Sequence, residues 1–190
     1  MHDAKQELRT RLRAYRRELA TAQQQQAARA IADHITALPL WRSAASIALY
    51  LASDGEIDPG SIARAARALG KVVYLPALDG KTLAFAQWQE DVTLVPNRYG
   101  IGEPPAAVGR CEASELDIIC LPLVACDRHG GRLGMGAGYY DRALAETARE
   151  RLVGLAHAGQ LVTAVPTDEW DVRLGWVLTE EALLDCQAGS

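Results

Sequence analysis

Leu121-Pro-Leu-Val-Ala-Cys-Asp-Arg-His-Gly-Gly-Arg-Leu-Gly-Met-Gly-Ala-Gly-Tyr-Tyr-Asp-Arg-Ala-Leu144 is the stretch on which the reading of this chain turns. An apolar run at Leu116, Ile118, Ile119 and Leu121 leads into it. Glycines follow at 130, 131, 134, 136 and 138, and a helical pattern starts at Tyr139. Strand, glycine-rich loop and helix in that order make a phosphate site. Glycine has no Cβ and reaches backbone angles other residues avoid, so successive N–H groups can converge on an anion. The following helix adds its positive end. Arg132 can offer a bidentate charge to phosphate oxygens. Asp141, in the first helical turn, is an oxygen ligand suited to Mg²⁺ carried by a nucleotide. The plainer reading, a tight surface turn before a capped helix, needs fewer than five glycines.

Working outward, Ala45 to Leu51 is apolar and reads as a buried strand. It empties into Ser53-Asp-Gly-Glu-Ile-Asp-Pro59, followed by a helix over 60–69 closed by Gly70. Ligands of open α/β sheets gather outside the carboxyl ends of strands, which gives Glu56 a functional weight beyond that of a solvated turn acid. Val72 to Leu75 is the next strand, and the alternating Thr82 to Trp88 pairs with it as a hairpin. Residues 95–105 hold too many breakers for a regular element, and a long loop in a compact domain is often functional; Tyr99 and Glu103 are candidates there. Glu112 to Leu116 leads into the central strand. A helix is expected from Tyr139 to Arg151, with Tyr140, Leu144 and Ala148 on one side, then a buried strand over 152–156. His157 at that strand's end is a structural histidine or a ligand contact. Val165 to Asp171 is an acidic loop around Trp170, Leu174 to Leu178 a last strand, and Thr179-Glu-Glu the cap of a short terminal helix.

At the other end, residues 3–19 read as a helix. Leu8, Leu12, Tyr15 and Leu19 share one face, and Lys5, Arg9, Arg13, Arg16 and Arg17 another. Thr21-Ala-Gln-Gln24 has the form of a capping box for a second helix over 22–37 that stops before Pro39.

The 190 residues, 49% hydrophobic and 23% charged, fit one soluble globular domain, and no linker or repeat divides them. A net charge of −4 argues against general affinity for nucleic acid or anionic membranes. No signal-like or membrane-spanning apolar run occurs, so a cytoplasmic protein is expected. The four cysteines form no C-x-x-C pair and the four histidines no metal-ligand spacing, so reduced thiols and no structural zinc are expected.

The glycine spacing is neither a P-loop, since G-K-[ST] is absent, nor the dinucleotide fingerprint. As written, Arg132-Leu-Gly-Met-Gly-Ala-Gly-Tyr-Tyr-Asp141 closely resembles the R-L-G-x-G-x-G-[YF]-Y-D signature of the 5-formyltetrahydrofolate cyclo-ligase family. Other segments extend the resemblance over nearly the whole chain. Lys5 and Arg9 match a K-x-x-x-R pair that contacts ATP, and Glu56-Ile57 matches an E-[IL] whose carboxylate holds the pterin. Residues 97–104 resemble an N-x-x-G-I-x-E-P segment, and Asp171 matches a second carboxylate for Mg²⁺.

The resemblance implies a single α/β domain over 1–190, Rossmann-like and three-layered, with a mainly parallel central sheet flanked by helices, as in NagB/RpiA/CoA transferase-like proteins. It implies ATP-dependent closure of 5-formyltetrahydrofolate to 5,10-methenyltetrahydrofolate by a monomer, with Mg²⁺ as cofactor. ATP would meet Lys5, Arg9, Arg132 and the segment Leu133, Gly134, Met135, Gly136, Ala137, Gly138, Tyr139 and Tyr140, with Lys5 and Arg132 catalytic. Folate would meet Leu51, Glu56 and the backbone of Met135, Gly136, Ala137, Gly138 and Tyr139. Asp141 and Asp171 would hold the metal. Cys126 departs from the Phe usual in members. Met135 and Ala137 fill variable positions, one of which is basic in some members, so Arg132 or Lys5 must carry more of the charge here.

Two other readings use the same loop. A sugar-phosphate isomerase or CoA-transferase would need no ATP hydrolysis, and a binding module would need no turnover.

Overall fold

A computed structural model describes residues 2–187 of the chain. Its elements run α1 (His2–Glu18), α2 (Thr21–Thr36), α3 (Pro39–Ser43), β1 (Ser46–Ala48), α4 (Gly60–Ala68), β2 (Val72–Asp79), β3 (Thr82–Gln87), β4 (Val95–Pro96), β5 (Gly102–Glu103), β6 (Arg110–Cys111), β7 (Ile118–Pro122), β8 (Ala125–Cys126), β9 (Arg132–Leu133), α5 (Tyr139–Ala143), β10 (Leu152–Leu155), β11 (Trp176–Leu178) and β12 (Leu183–Asp185). The main sheet has the order β12-β11-β10-β7-β1-β2-β3-β6. Its five central strands, β11 to β2, are parallel, and the antiparallel strands lie outside them.

Because successive side chains of a strand point to opposite faces, the apolar runs supply two cores at once. Ile47, Ile118, Cys120, Val153, Leu155, Trp176 and Leu178 meet α2, α3 and α4 through Ile31, Ile35, Trp41, Ile62 and Ala66. Ala48, Ile119, Leu121, Leu152 and Val177 face the other way, onto Phe85, Leu123, Leu144 and Leu174. Each fully buried Ile or Leu contributes about 1.5–3 kcal/mol from removal of its surface from water. A third, smaller cluster seats Leu8 and Leu12 of α1 on Val124, Ala125, Leu133 and Val165, so α1 packs on the β8–β9 hairpin.

Several local expectations need correction. Gln23, not Gln24, closes the start of α2, accepting the Ala20 N–H at 3.0 Å, and Thr21 is already inside the helix. The glutamine run offers two registers, and Gln24 is taken by donating to the Arg16 carbonyl at 3.1 Å. The ladder of β1 covers three residues rather than the seven from 45 to 51, with Leu49 adding one bond to the Tyr74 carbonyl. β2 runs on through Pro76 to Asp79. β1 pairs it only as far as Tyr74, so beyond that point β2 has a single neighbour and tolerates a residue without an N–H.

The helix expected over 139–151 ends at Ala143. Leu144 is anchored in the core and Tyr140 packs against it, but Ala148 is exposed, so the packing covers the first turns only and does not hold three. The terminal segment is a strand, not a helix. Thr179 Oγ1 accepts the N–H groups of Glu181 and Ala182 as an N-cap would, but the turn it makes returns β12 along β11.

Arg16 ties these layers together. It is fully buried, donating from Nε to the Asp54 carbonyl (2.7 Å), from Nη1 to the Leu123 carbonyl (2.9 Å) and from Nη2 to Asp54 Oδ2 (2.7 Å). Arg13 and Arg17 also donate to Asp54. Burial would raise the Asp54 pKa, but these hydrogen bonds outweigh it and bring the group down to about 2. A carboxyl depressed in the fold stabilises it above its unfolded value of 3.8, and that increment fades as pH falls through about 2. Asp54→Asn should therefore be less stable at pH 7, by on the order of 2 kcal/mol, in urea unfolding. The gap from the parent should close as the pH drops from about 4 to about 2. A gap independent of pH would show that the charge of Asp54 does not contribute.

Candidate active site

A cleft of about 1250 Å³ opens where the parallel strands end, walled by Tyr50 and Leu51 after β1, Pro76 in β2, and Pro122 and Leu123 at the end of β7. That volume exceeds what one drug-sized ligand fills. Its floor and far wall are the chain from Arg132 to Asp141, its roof the first turns of α1, and its mouth the 97–101 and 168–173 segments.

The five glycines divide into two sets. Gly130 and Gly131 serve the β8–β9 hairpin and do not reach the cleft. A Cβ on Gly131 would stand 2.4 Å from Asp127 Oδ2, and the buried Asp127 carboxylate accepts the N–H groups of His129 (2.9 Å), Gly131 (2.9 Å) and Val165 (2.8 Å). Gly134, Gly136 and Gly138 line the cleft. Gly136 has φ of +100°, and a Cβ there would lie 3.4 Å from Arg9 Cζ. Arg9 thus lies flat over the loop, with its Nε donating to the Gly134 carbonyl at 3.0 Å, and supplies the positive charge that Met135 and Ala137 do not. α5 has five residues, too short for its N-terminus to add an appreciable dipole, so the positive potential comes from side chains.

At one end of the cleft, cations and carboxylates interleave. Lys5 Nζ lies 2.7 Å from Asp168 Oδ2 and 2.8 Å from Asp171 Oδ2, and Arg132 Nη2 lies 2.5 Å from Asp141 Oδ1. The Asp168 N–H also donates to Asp171 Oδ2 at 2.8 Å. Burial works against ionisation of both Lys5 and Asp171. Their mutual hydrogen bonds outweigh it, so the Lys5 pKa rises and the Asp171 pKa falls, and both stay charged. Arg132 is buried, and its Nε–H has no partner among the described residues. A buried orphan donor beside a cleft is an unfilled demand for an acceptor. Trp170, 72% exposed, forms the rim beside this group.

At the other end stands Glu56, its side chain 10% exposed. Its Oε2 accepts the Ser53 N–H (3.0 Å) and hydroxyl (3.4 Å), and its Oε1 lies 3.5 Å from Arg16 Nη2. Burial raises its pKa, opposed by Ser53 and Arg16. Tyr50 donates its hydroxyl to the Ile57 carbonyl at 2.8 Å, and His157, buried, sits with Nε2 3.1 Å from the Gly55 carbonyl. His157 is not part of the cleft wall; it fixes the turn that presents Glu56. Glu103 also turns inward, accepting the Leu78 N–H at 3.0 Å and anchoring the 97–103 loop to β2. Tyr99 remains exposed and meets the Tyr139 ring edge-on at 6.1 Å.

Lys5, Arg9, Leu51, Glu56, the run Arg132 to Asp141 and Asp171 all line this one cleft. Tyr50, Pro76, Ile101, Asp168 and Trp170 line it too and were not singled out from sequence. Tyr50 and Pro76 read as strand, and nothing in the order of residues says which strand ends are left open. Among the described residues no group of three or more His, Cys, Asp or Glu side chains could hold a metal by itself, and no helix is long and apolar enough to cross a membrane.

A family model described as "5-formyltetrahydrofolate cyclo-ligase family" matches residues 1–180. The 5-formyltetrahydrofolate cyclo-ligase of Haemophilus influenzae is 40% identical over 176 residues, covering 90% of this chain and 94% of that protein. The Escherichia coli K12 protein of the same name is 38% identical, covering 88% and 96%. The NMR structure of Aquifex aeolicus 5,10-methenyltetrahydrofolate synthetase superposes with a TM-score of 0.85 at 28% identity, covering 98% of this chain and 94% of that one. Motif, cleft and comparisons agree: the chain belongs to the 5-formyltetrahydrofolate cyclo-ligase family, enzymes that close 5-formyltetrahydrofolate to 5,10-methenyltetrahydrofolate at the expense of ATP.

Proposed function

We propose that the cleft binds 5-formyltetrahydrofolate at its Glu56 end and ATP at its Lys5–Arg132 end, and that the γ-phosphoryl group passes to the formyl oxygen between them. The observation that carries this is Arg132: buried, with one nitrogen on Asp141 and its Nε–H unpartnered beside three cleft-lining glycines. An anion with several oxygens answers that demand.

The chemistry explains why ATP is needed. The oxygen of an N-formyl group is a poor leaving group. Attack of that oxygen on the γ-phosphorus breaks the bond to ADP and places a phosphate on the formyl carbon. N10 then bonds to that carbon and gives up its proton, the C–O bond breaks, and inorganic phosphate leaves. Such transfer asks the protein for alignment and charge neutralisation rather than a covalent nucleophile.

Lys5, Arg9 and Arg132 supply the positive charge, and the backbone from Leu133 to Tyr140 permits close approach. Glu56, held by Ser53 and Arg16, accepts the paired N–H groups of the pterin, with Leu51 against the ring. Asp141 and Asp171 fit a magnesium that keeps waters and phosphate oxygens as its other ligands, since two carboxylates of that kind are what the ion takes from protein in nucleotide sites. Bound there, Mg²⁺ would neutralise phosphate charge. Both carboxylates sit against cations, Asp171 on Lys5 and Asp141 on Arg132, so Lys5 and Arg132 would turn to the phosphates where Mg²⁺ takes the acids. A cytoplasmic monomer is the working form we propose.

The direct assay mixes the protein with 5-formyltetrahydrofolate, Mg²⁺ and ATP and follows methenyl absorbance against an ATP-free control. An ATP-dependent rise with stoichiometric ADP is expected; substrate binding without turnover would make this a binding module. Arg132→Ala should lower kcat by about 100-fold with a normal fold, as loss of a preorganised charge at a transferring group does. An unchanged rate would remove Arg132 from the phosphate site. Glu56→Gln should raise the KM for folate about tenfold or more and leave ATP affinity near the parent's, because it removes one charge-assisted pair. A matching loss of ATP affinity would move Glu56 to the nucleotide.

A further inference from the structure

Arg9 lies on the Gly134 carbonyl, and two cations of the cleft are matched by acids, Lys5 by Asp168 and Asp171 and Arg132 by Asp141, as is the buried Arg16 by Asp54 and Glu56. Two arginines at the mouth are not. Arg98 and Arg142 flank the ring of Tyr139, with guanidinium carbons 5.8 and 5.3 Å from its centroid. Neither forms an ion pair with a carboxylate among the described residues.

Their hydrogen bonds go to neutral oxygens instead. Arg98 donates to the Gly80 carbonyl at 3.3 Å and to the Tyr139 hydroxyl. Arg142 donates from Nε to the Lys81 carbonyl at 2.5 Å and from Nη2 to the Ala137 carbonyl at 2.8 Å. Carbonyls of the β2–β3 turn and the glycine loop therefore fix both guanidinium groups without neutralising them. Two like charges held against one ring repel, and a bound anion relieves that repulsion. Beside them stand exposed aromatic and apolar side chains: Tyr99 is 57% exposed, Ile101 40%, and the hydroxyls of Tyr99 and Tyr139 meet at 3.0 Å.

An aromatic wall leading to two uncompensated guanidinium groups suits a ligand that carries a benzene ring followed by carboxylates. The acidic Asp141–Asp168–Asp171 group does not. We infer that Arg98 and Arg142 form a subsite for the carboxylates of the folate's glutamate tail, with the benzoyl ring lying against Tyr139, Tyr99 and Ile101. This rests on the reading that the cleft binds 5-formyltetrahydrofolate with its pterin at Glu56. Arginine is suited to such a site because its planar fork takes carboxylates bidentately and stacks on aromatic rings.

The test compares 5-formyltetrahydrofolate with an analogue in which a neutral primary amide replaces the glutamate, so that the pterin, N10 and benzoyl group are kept. For the parent, the KM of the amide should exceed that of the folate by about tenfold, from two exposed charge pairs worth roughly threefold each. In Arg98→Ala/Arg142→Ala that ratio should fall close to one, with the KM for ATP within about twofold of the parent's. Both side chains are exposed, and a thermal melt matching the parent's verifies the fold. An unchanged ratio, or a rise in the KM for ATP in place of the folate's, would overturn the subsite while leaving the cyclo-ligase reading intact. Failure of the parent to convert either substrate with ATP would overturn the reading beneath it.

Discussion

The buried guanidinium of Arg16 is the constraint from which the active cleft follows. A charge with no exposure to water is tolerable only when each of its donors is met, and here the acceptors come from two separate parts of the chain: the 53–56 turn after β1, through the Asp54 carbonyl and carboxylate, and the carbonyl at Leu123 after β7. Satisfying Arg16 therefore fixes α1 over the ends of two neighbouring parallel strands. Arg9 and Lys5, seven and eleven residues earlier on the same helix, are carried with it to the glycine loop and the acidic segment. The same guanidinium approaches Glu56, so the nucleotide and folate ends of the cleft share a single support.

Charge in the cleft is arranged for exchange. Lys5 lies on Asp168 and Asp171, and Arg132 on Asp141, so these cations and carboxylates offset one another at this end of the site. A magnesium–triphosphate complex brings both signs at once. Its metal can take the carboxylates while its phosphate oxygens take the cations, so each buried charge keeps an opposite partner in the exchange. The orphan Nε–H of Arg132 is the point at which this balance is incomplete without a ligand.

The glycine-rich stretch shows what motif reading resolves and where it stops. Read along the chain, five glycines look like one phosphate loop. In the fold, Gly130 and Gly131 make room for the Asp127 carboxylate inside the β8–β9 hairpin, and Gly134, Gly136 and Gly138 face the cleft. Spacing cannot separate these uses, because the distinction lies in which atoms stand opposite each missing Cβ. Thr179 teaches the same lesson. Its hydroxyl accepts two N–H groups in the same way at a helix start and at a hairpin turn, and only the presence of β11 as a partner decides for a strand.

By itself the sequence determined the strands and helices of an α/β chain, the long basic first helix and, through its signature, the family whose fold implied a mainly parallel sheet. Alternating burial, three- and four-residue apolar steps and a ten-residue signature are all properties of residue order. It also named the cleft residues that sit in recognisable local motifs: Lys5, Arg9, Glu56, the run from Arg132 and Asp171. The tertiary structure alone decided the rest. Burial of Arg16, the inward turn of His157 and Glu103, and the convergence of Arg98 and Arg142 on Tyr139 depend on partners 40 or more residues away in most cases. A basic residue on a helix face and another in a loop look solvated in sequence. What makes one a buried tie and the other an uncompensated charge is the set of atoms that folding brings against it.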